Sequence, residues 1–100
     1  MVIVTAIVDL PADRVDEALA LSIEHVHRSR SEPGCLFHSV SRDADDPNRL
    51  IFLENWEDRA AVQVHFVVPA ALDFARALGA MATSRPDMRM YQAEPFRPGR

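Results

Sequence analysis

CLFHSVSRDADDPNRLIFLENW, residues 35–56, contains two apolar runs separated by a polar stretch. Apolar runs with β-branched and aromatic residues predict one strand over Cys35–Arg42 and another over Arg49–Trp56. The Asp, Asn and Pro residues of 43–48 are typical of a turn. The stretch is therefore expected to form an antiparallel hairpin, and the flanking segments decide which fold is built around it.

The segment before the hairpin predicts a strand and then a helix. VIVTAIVD, residues 2–9, is rich in β-branched residues and is followed by Pro11, which favours a strand that ends there. Residues 12–31 change to a helical period, and Pro33-Gly34 stops the helix. Its apolar stripe is predicted at three- and four-residue steps: Val15, Leu19, Ser22, Ile23 and Val26.

The segment after the hairpin predicts two helices and a last strand. Asp58 is suited to cap a short helix from 58 to about 65, and Pro69 is suited to begin a second from 70 to about 82. A strand follows over 88–93. The order is thus β-α-β-β-α-β, an α+β ferredoxin-like fold with a four-stranded antiparallel sheet and helices on one face. One domain is expected over 1–100, with 97–100 as a frayed tail.

Both faces of the predicted sheet are apolar. Leu50 and Phe52 alternate with Ile51 and Leu53, although a sheet with helices on one side needs only one apolar face. Because the chain has no further helix to cover the second face, a second copy of the chain is the expected cover. The sequence predicts a homodimer.

Composition excludes several classes of function. The formal net charge is −4 and no basic stripe is visible, so neither nucleic acid nor an anionic membrane is an expected partner. All 11 basic residues are arginine, which excludes lysine Schiff bases, pyridoxal phosphate attachment and a P-loop lysine. Three glycines are too few for a phosphate-cradling loop. No metal-ligand spacing is present, so neither metal nor flavin is expected.

The only cysteine, Cys35, cannot form an internal disulfide, and the N-terminal residues do not have the pattern of a secretory signal. A cytoplasmic location is expected. The opening apolar run, residues 2–8, is far shorter than the roughly 20 residues of a membrane-spanning helix.

A set of short motifs resembles one known family. The run Glu32-Pro33-Gly34-Cys35-Leu36, then Asp46-Pro47, FLENWED (52–58), Ala61 and His65 together resemble the antibiotic biosynthesis monooxygenase (ABM) family over about residues 2–96. The most specific part is Glu54-x-Trp56 followed nine residues later by His65. The resemblance implies a dimeric α/β barrel of two ferredoxin-like subunits, each with a small cavity between sheet and helices. It fixes function less firmly, because the family includes quinol and polyketide monooxygenases, haem-degrading members and an isomerase.

Trp56 and Glu54 share one face of the third strand. Trp56 either closes the core edge or forms a flat wall for an aromatic substrate. Glu54 is either a carboxylate paired with an arginine or lying at the dimer rim, or a general base with a raised pKa.

Histidine positions give a candidate base. His65 follows Ala61 and Val62 by one turn, so its ring should point inward, as a core histidine or as a proton acceptor. His38 alternates with apolar residues and either lines the cavity or lies at the dimer seam. His25 and His27 diverge by about 200° on a helix and are interpreted as solvated or flanking positions.

Arg76 lies near the position of a substrate-contacting arginine in polyketide-oxidising relatives, but a surface pair with Asp73 is an equal alternative.

The chain departs from the family pattern at several positions. Those relatives have Asn and Tyr where this chain has Phe52 and Val62, and quinol-type members have a second histidine where it has Ala70. Haem-degrading members have a histidine where it has Ala75, so haem is excluded.

The leading hypothesis is a homodimeric monooxygenase that oxidises a small aromatic or quinol-like molecule with O2 and without a cofactor. His65 is the candidate catalytic residue, and Trp56, Glu54, His38 and Arg76 are the candidate substrate-binding residues. A non-catalytic ligand-binding or structural module is the first alternative, and an isomerase of a small carbonyl compound is the second.

Overall fold

The computed structural model describes residues 1–99 and contains four strands and three helices. In chain order the elements are β1 (Val2–Asp9), α1 (Val15–Ser29), β2 (Cys35–Arg42), β3 (Arg49–Trp56), α2 (Arg59–Val67), α3 (Pro69–Met81) and β4 (Asp87–Gln92). The first three strands have the predicted bounds, and the last begins one residue early. The predicted tail, 97–100, extends past the described part of the chain, because Arg100 lies outside it.

All strand pairs in the sheet are antiparallel, and the strand order is β2-β3-β1-β4. The ferredoxin-like α+β prediction is therefore confirmed. The register places His38 opposite Glu54 across β2 and β3, and Val4 opposite Glu54 across β3 and β1. Glu54 thus lies in the middle of the sheet, on the face that the helices cover.

The inner face carries the core, which falls into two apolar clusters. The larger contains Leu50 and Phe52 under α1 and α3, and the smaller contains Trp56 with Val62 of α2. Along β3, Glu54 separates Phe52 from Trp56. A polar group is therefore inserted between two parts of an otherwise apolar interior.

The outer face of the sheet is apolar and largely open in the single chain. Ile7, Phe37, Leu53 and Tyr91 are each between 39% and 48% exposed there. The predicted second apolar face is thus present.

A tight turn positions the start of α2 against the end of α1. Gly34 has a φ of 81°, and a Cβ added to it would lie 2.5 Å from the Cβ of Ala61. Only glycine meets both demands without strain. The Asp58 side chain accepts a hydrogen bond from the Ala61 amide at 2.9 Å and begins α2. These contacts bring residues 31–34 beside α2.

The buried stripe of α1 differs from the prediction. Ile23 is 41% exposed, while Ala18, His25 and Ser29 are buried. The Ser22 and Ser29 hydroxyls each donate to the carbonyl four residues earlier, at 2.7 and 2.8 Å, so these polar residues are buried with a partner. Small side chains thus occupy much of the buried face of α1, and the larger Ile23 lies outside it.

Within residues 1–99, no single helix combines the length and apolar character needed to cross a bilayer; α2 and α3 do so only when taken together, and they are bent by 70° at their junction.

Candidate functional site

Glu54 and Trp56 form a buried hydrogen-bonded pair on the inner face of β3. Because side chains alternate along a strand, the two point the same way, as predicted. Trp56 Nε1 donates to Glu54 Oε1 at 2.8 Å. The Trp56 side chain is fully buried and Glu54 is 4% exposed, so the carboxylate is fixed in position away from bulk water.

His65 faces this pair from α2. Its ring is buried, as the spacing from Ala61 and Val62 predicts, and its centre lies 4.5 Å from the centre of the Trp56 ring. His65 Nδ1 is 2.8 Å from Glu32 Oε1, and Nε2 is 3.8 Å from Glu54 Oε1. With Nδ1 donating its proton to Glu32, Nε2 carries the lone pair.

Glu32 is the residue of this site that the sequence did not single out. Its second oxygen, Oε2, accepts from Arg28 Nη1 at 2.9 Å, so the carboxylate is held between Arg28 and His65. The only signal for it was its place in the Glu32-Pro33-Gly34 run that carries the family resemblance. The role depends on the turn at Gly34, which brings the end of α1 to α2.

His38 lies beside Glu54, with Nε2 at 3.3 Å from Oε1, and is 1% exposed. Both of its ring nitrogens are buried without a hydrogen-bond partner among the described residues. It is therefore brought into the site with Glu54, Trp56 and His65, on the inner face of the sheet.

His25 also joins the site, and its interpretation as a solvated or flanking position is wrong. It is buried, its Nδ1 is 3.0 Å from Arg28 Nη2, and its ring stacks on Phe74 with centres 3.9 Å apart. His27, two residues later, is exposed as expected. The prediction that the two rings diverge was correct, but the divergence places the His25 ring in the core and the His27 ring in solvent.

The charges in the site follow from burial. The pKa of His25 is lowered from 6.5 to about 3: burial is the largest cause, and the neighbouring His38, His65 and Arg28 act in the same direction, against a smaller opposing effect of Glu54. His25 is thus neutral at physiological pH.

Burial is also the largest influence on Glu54 and raises its pKa, but His38, the Trp56 hydrogen bond and His65 together outweigh it. The pKa of Glu54 therefore lies below its ordinary value. The raised pKa that the general-base interpretation expected is therefore not found, and the buried carboxylate is paired with Trp56 as its hydrogen-bond donor instead of with an arginine or at a dimer rim.

A cavity of about 110 Å³ adjoins the site between the sheet and the helices. Its wall is apolar except for His25, Glu54 and His65, and Met88 of β4 is half-exposed at its edge. For comparison, a dry apolar cavity of about 150 Å³ binds benzene. Trp56 and His38 are not among its lining residues.

Arg76 is not brought into the site. Its side chain is 78% exposed and lies 3.4 Å from Asp73, which is the surface pair that the sequence offered as the alternative. The neighbouring Ala75 lines the cavity, whereas Arg76 points away from it.

Known proteins share the sequence pattern and the fold of this chain. The profile of the antibiotic biosynthesis monooxygenases matches residues 1–77. The chain belongs to this family. The crystal structure of an antibiotic biosynthesis monooxygenase shares 28% sequence identity, with a TM-score of 0.87 over 95% of this chain and 100% of that one.

Two further relatives extend the comparison. A protein of Deinococcus radiodurans has the same fold, with a TM-score of 0.91 at 24% identity over 97% of this chain and 96% of that chain. An uncharacterized protein of Synechocystis sp. is 30% identical over 91 residues, which is 91% of this chain. The ABM chain described here spans 62% of the length of that relative.

Proposed function

We propose that this ABM-family protein oxidises a small, single-ring phenolic or quinol-like molecule with O2, and that His65 Nε2 is the general base. One observation carries the proposal. Glu32 holds Nδ1 of His65 at 2.8 Å, and the same ring lines an apolar cavity, so that the lone pair of Nε2 is available to a bound molecule. A carboxylate–histidine pair of this kind is the arrangement that fixes the tautomer of a catalytic base.

The base would start the reaction by removing the phenolic proton. The positive charge that His65 then acquires lies between Glu32 Oε1 at 2.8 Å and Glu54 Oε1 at 3.8 Å, and two carboxylates favour it. The phenolate is electron-rich enough to pass one electron to O2. The radicals combine into a peroxide at a ring carbon, which loses water and leaves a carbonyl.

This step needs no added reductant. One atom of O2 enters the ring as the new carbonyl oxygen, the other leaves as water, and the phenol becomes a quinone, so atoms and electrons balance. The apolar wall of the cavity would keep bulk water from the radical pair. The sequence expectation of a cofactor-independent oxygenase is kept as part of this proposal.

The cavity limits the substrate. At about 110 Å³ it is smaller than a cavity that accepts benzene, so a single ring requires a modest movement of the wall. Met88 is the candidate for that movement, because methionine is flexible and Met88 is half-exposed. Multi-ring polyketides are poor candidates on this ground.

The same small volume favours one alternative, an isomerase of a small carbonyl compound. His65 would remove a proton from the carbon next to the carbonyl and return it to the neighbouring atom, without O2. O2 uptake and turnover of a panel of single-ring phenols, hydroquinones and small carbonyl compounds separate the two. The proposal expects uptake and one labelled oxygen from ¹⁸O2 in the product, and turnover unchanged under argon would support the isomerase.

We further propose that the protein is a homodimer through the outer face of the sheet and works in the cytoplasm. The homodimer is supported by the open apolar patch that includes Phe37, Leu53 and Tyr91. The cytoplasmic location is supported by the unpaired thiol of Cys35. Failure to turn over any member of the panel, the carbonyl compounds included, would favour a ligand-binding module.

A further inference from the structure

Three histidines from three different elements meet under the sheet: His25 of α1, His38 of β2 and His65 of α2. Their ring centres lie 5.4, 5.5 and 5.6 Å apart, a nearly equilateral triangle. One ring nitrogen from each lies within 4.8 Å of the other two, and all three side chains are buried. Each neutral imidazole has a nitrogen lone pair that can bind a metal ion. Three such rings buried together bring three lone pairs into one small region that has few hydrogen-bond donors.

His38 is the member whose position calls for an explanation. Its side chain is fully buried, yet neither Nδ1 nor Nε2 has a hydrogen-bond partner among the described residues. Glu54 Oε1 is 3.3 Å from Nε2, but the approach does not have hydrogen-bond geometry. A buried polar group without a partner is destabilising, and a bound ion would satisfy it.

We propose that His25, His38 and His65 form a binding site for one divalent transition-metal ion of the Fe²⁺-to-Zn²⁺ series. Imidazole is a preferred ligand of these metals. Glu54 Oε1, at 3.3 Å from His38 Nε2 and 3.8 Å from His65 Nε2, is the candidate fourth ligand and supplies negative charge. The sequence showed no metal spacing because the ligands come from separate elements.

The surroundings of His65 fit this site. Glu32 accepts from Nδ1 at 2.8 Å, which leaves Nε2 to bind the metal. A carboxylate behind a ligating histidine is the usual arrangement of metal centres, where it orients the ring. Arg28 in turn holds Glu32 at 2.9 Å.

Loading the site requires a small contraction and one proton shift. Metal–nitrogen bonds of about 2.0–2.1 Å bring ligand nitrogens closer together than the 4.8 Å limit seen here, so the rings must close in on the ion. Arg28 Nη2 donates to Nδ1 of His25 at 3.0 Å, so Nε2 of that ring carries the proton. If the metal binds at Nε2, that proton moves to Nδ1, so Arg28 must release Nδ1 while keeping Glu32.

This site does not rest on the proposed function, but the two share an atom. The lone pair of His65 Nε2 binds either the metal or the proton of a phenol. Metal loading should therefore suppress base catalysis by His65. Activity that requires added metal would overturn the metal-free mechanism and leave the site itself intact.

To test the site, chelator-treated, tag-free protein is titrated with Co²⁺ and then with Zn²⁺, and the bound ions are measured. The expected result is one ion per chain, with the strong visible absorption of four-coordinate Co²⁺, displaced by Zn²⁺. Each of His25→Gln, His38→Gln and His65→Gln should weaken binding by at least about a hundredfold, the upper end of the loss caused by changing a residue that only supports a ligand. The matched control is His27→Gln, on the same helix but exposed, which should bind as tightly as the natural chain.

X-ray absorption of the Zn²⁺-loaded natural chain gives a result that does not depend on any variant folding. Three imidazole nitrogens at about 2.0–2.1 Å are expected. Fewer than three imidazoles, failure to bind in the micromolar range, or a His27→Gln variant that loses binding while His38→Gln keeps it, would overturn the proposal.

Discussion

Glu32 Oε1 lies 2.8 Å from Nδ1 of His65, although the two residues are 33 positions apart in the chain. The contact depends on the turn at Gly34 and on the Asp58 cap, which together bring the end of α1 to the middle of α2. It makes His65 more than a buried ring, because with the proton of Nδ1 donated to Glu32 the lone pair lies on Nε2.

Glu32→Gln should lower the rate of phenol oxidation by about 10- to 10³-fold, less than the about 10²- to 10⁴-fold that a general base itself contributes. The amide cannot balance the positive charge that His65 acquires. The measurement is kcat in chelator-treated protein, with exposed Glu24→Gln of α1 as the control. A Glu32→Gln variant with unchanged kcat would show that the contact only supports the fold.

Trp56→Phe should destabilise the fold by about 1–3 kcal/mol, because the buried Glu54 carboxylate loses the 2.8 Å hydrogen bond from Nε1. Since Trp56 does not line the cavity, its effect on substrate affinity is expected to pass through Glu54. Urea unfolding at pH 7 and again at a pH well below the lowered pKa of Glu54 checks this, because the difference between variant and natural chain should shrink once Glu54 is protonated. An equal difference at both pH values would contradict the role of the hydrogen bond.

Gly34→Ala should destabilise the chain by at least about 1–2 kcal/mol, the cost of a positive φ for a residue with a Cβ. The approach of 2.5 Å to the Ala61 Cβ adds to this. Gly79→Ala is the matched control, because nothing lies within 4 Å of its Cβ and it is inside α3, where alanine gains about 0.5–1 kcal/mol. Chemical denaturation of both variants should give shifts of opposite sign.

Acid should destabilise the metal-free protein through His25. Its pKa is about 3 in the folded state against 6.5 as the ordinary value, so between these values the unfolded chain binds one more proton. Stability therefore falls as the pH drops below 6.5, by up to about 1.4 kcal/mol per pH unit from this group. His25→Gln should flatten that slope in the presence of a chelator, whereas the exposed His27→Gln should leave it unchanged.

Leu53→Asp should convert a dimer into a monomer, because Leu53 is 40% exposed on the outer face of β3. Ile51 shares that face and is an equivalent position, whereas Phe52 points into the core and is unsuitable as a test of the interface. Light scattering at micromolar concentration is the measurement. Val64→Asp, on an exposed position of α2, should leave the assembly unchanged; a natural chain that is already monomeric would rule out the proposed interface.

The sequence was sufficient for the strands and for the residues that alternation places on β3. Period-two patterns fix the direction of Glu54 and Trp56 directly, and the helical spacing fixes the inward direction of His65. Local patterns are enough where burial follows from one element alone.

The same reasoning could not find the histidine triangle or the role of Glu32. His25, His38 and His65 come from three elements, and their meeting depends on how α1 is rotated on the sheet. Small residues such as Ala18 and Ser22 occupy the buried face of α1, and they carry little hydrophobic signal. Arg76 illustrates the opposite error, since a position carried over from relatives by counting across a loop fell on an exposed face of α3.

The most direct test of the account is O2 uptake by His65→Ala with a single-ring phenol that the natural chain oxidises, measured in chelator-treated protein beside exposed His27→Ala. If His65 Nε2 is the base, His65→Ala should lose about 10²- to 10⁴-fold in rate while His27→Ala keeps full activity. A folded His65→Ala variant that consumes O2 at the rate of the natural chain would contradict the account.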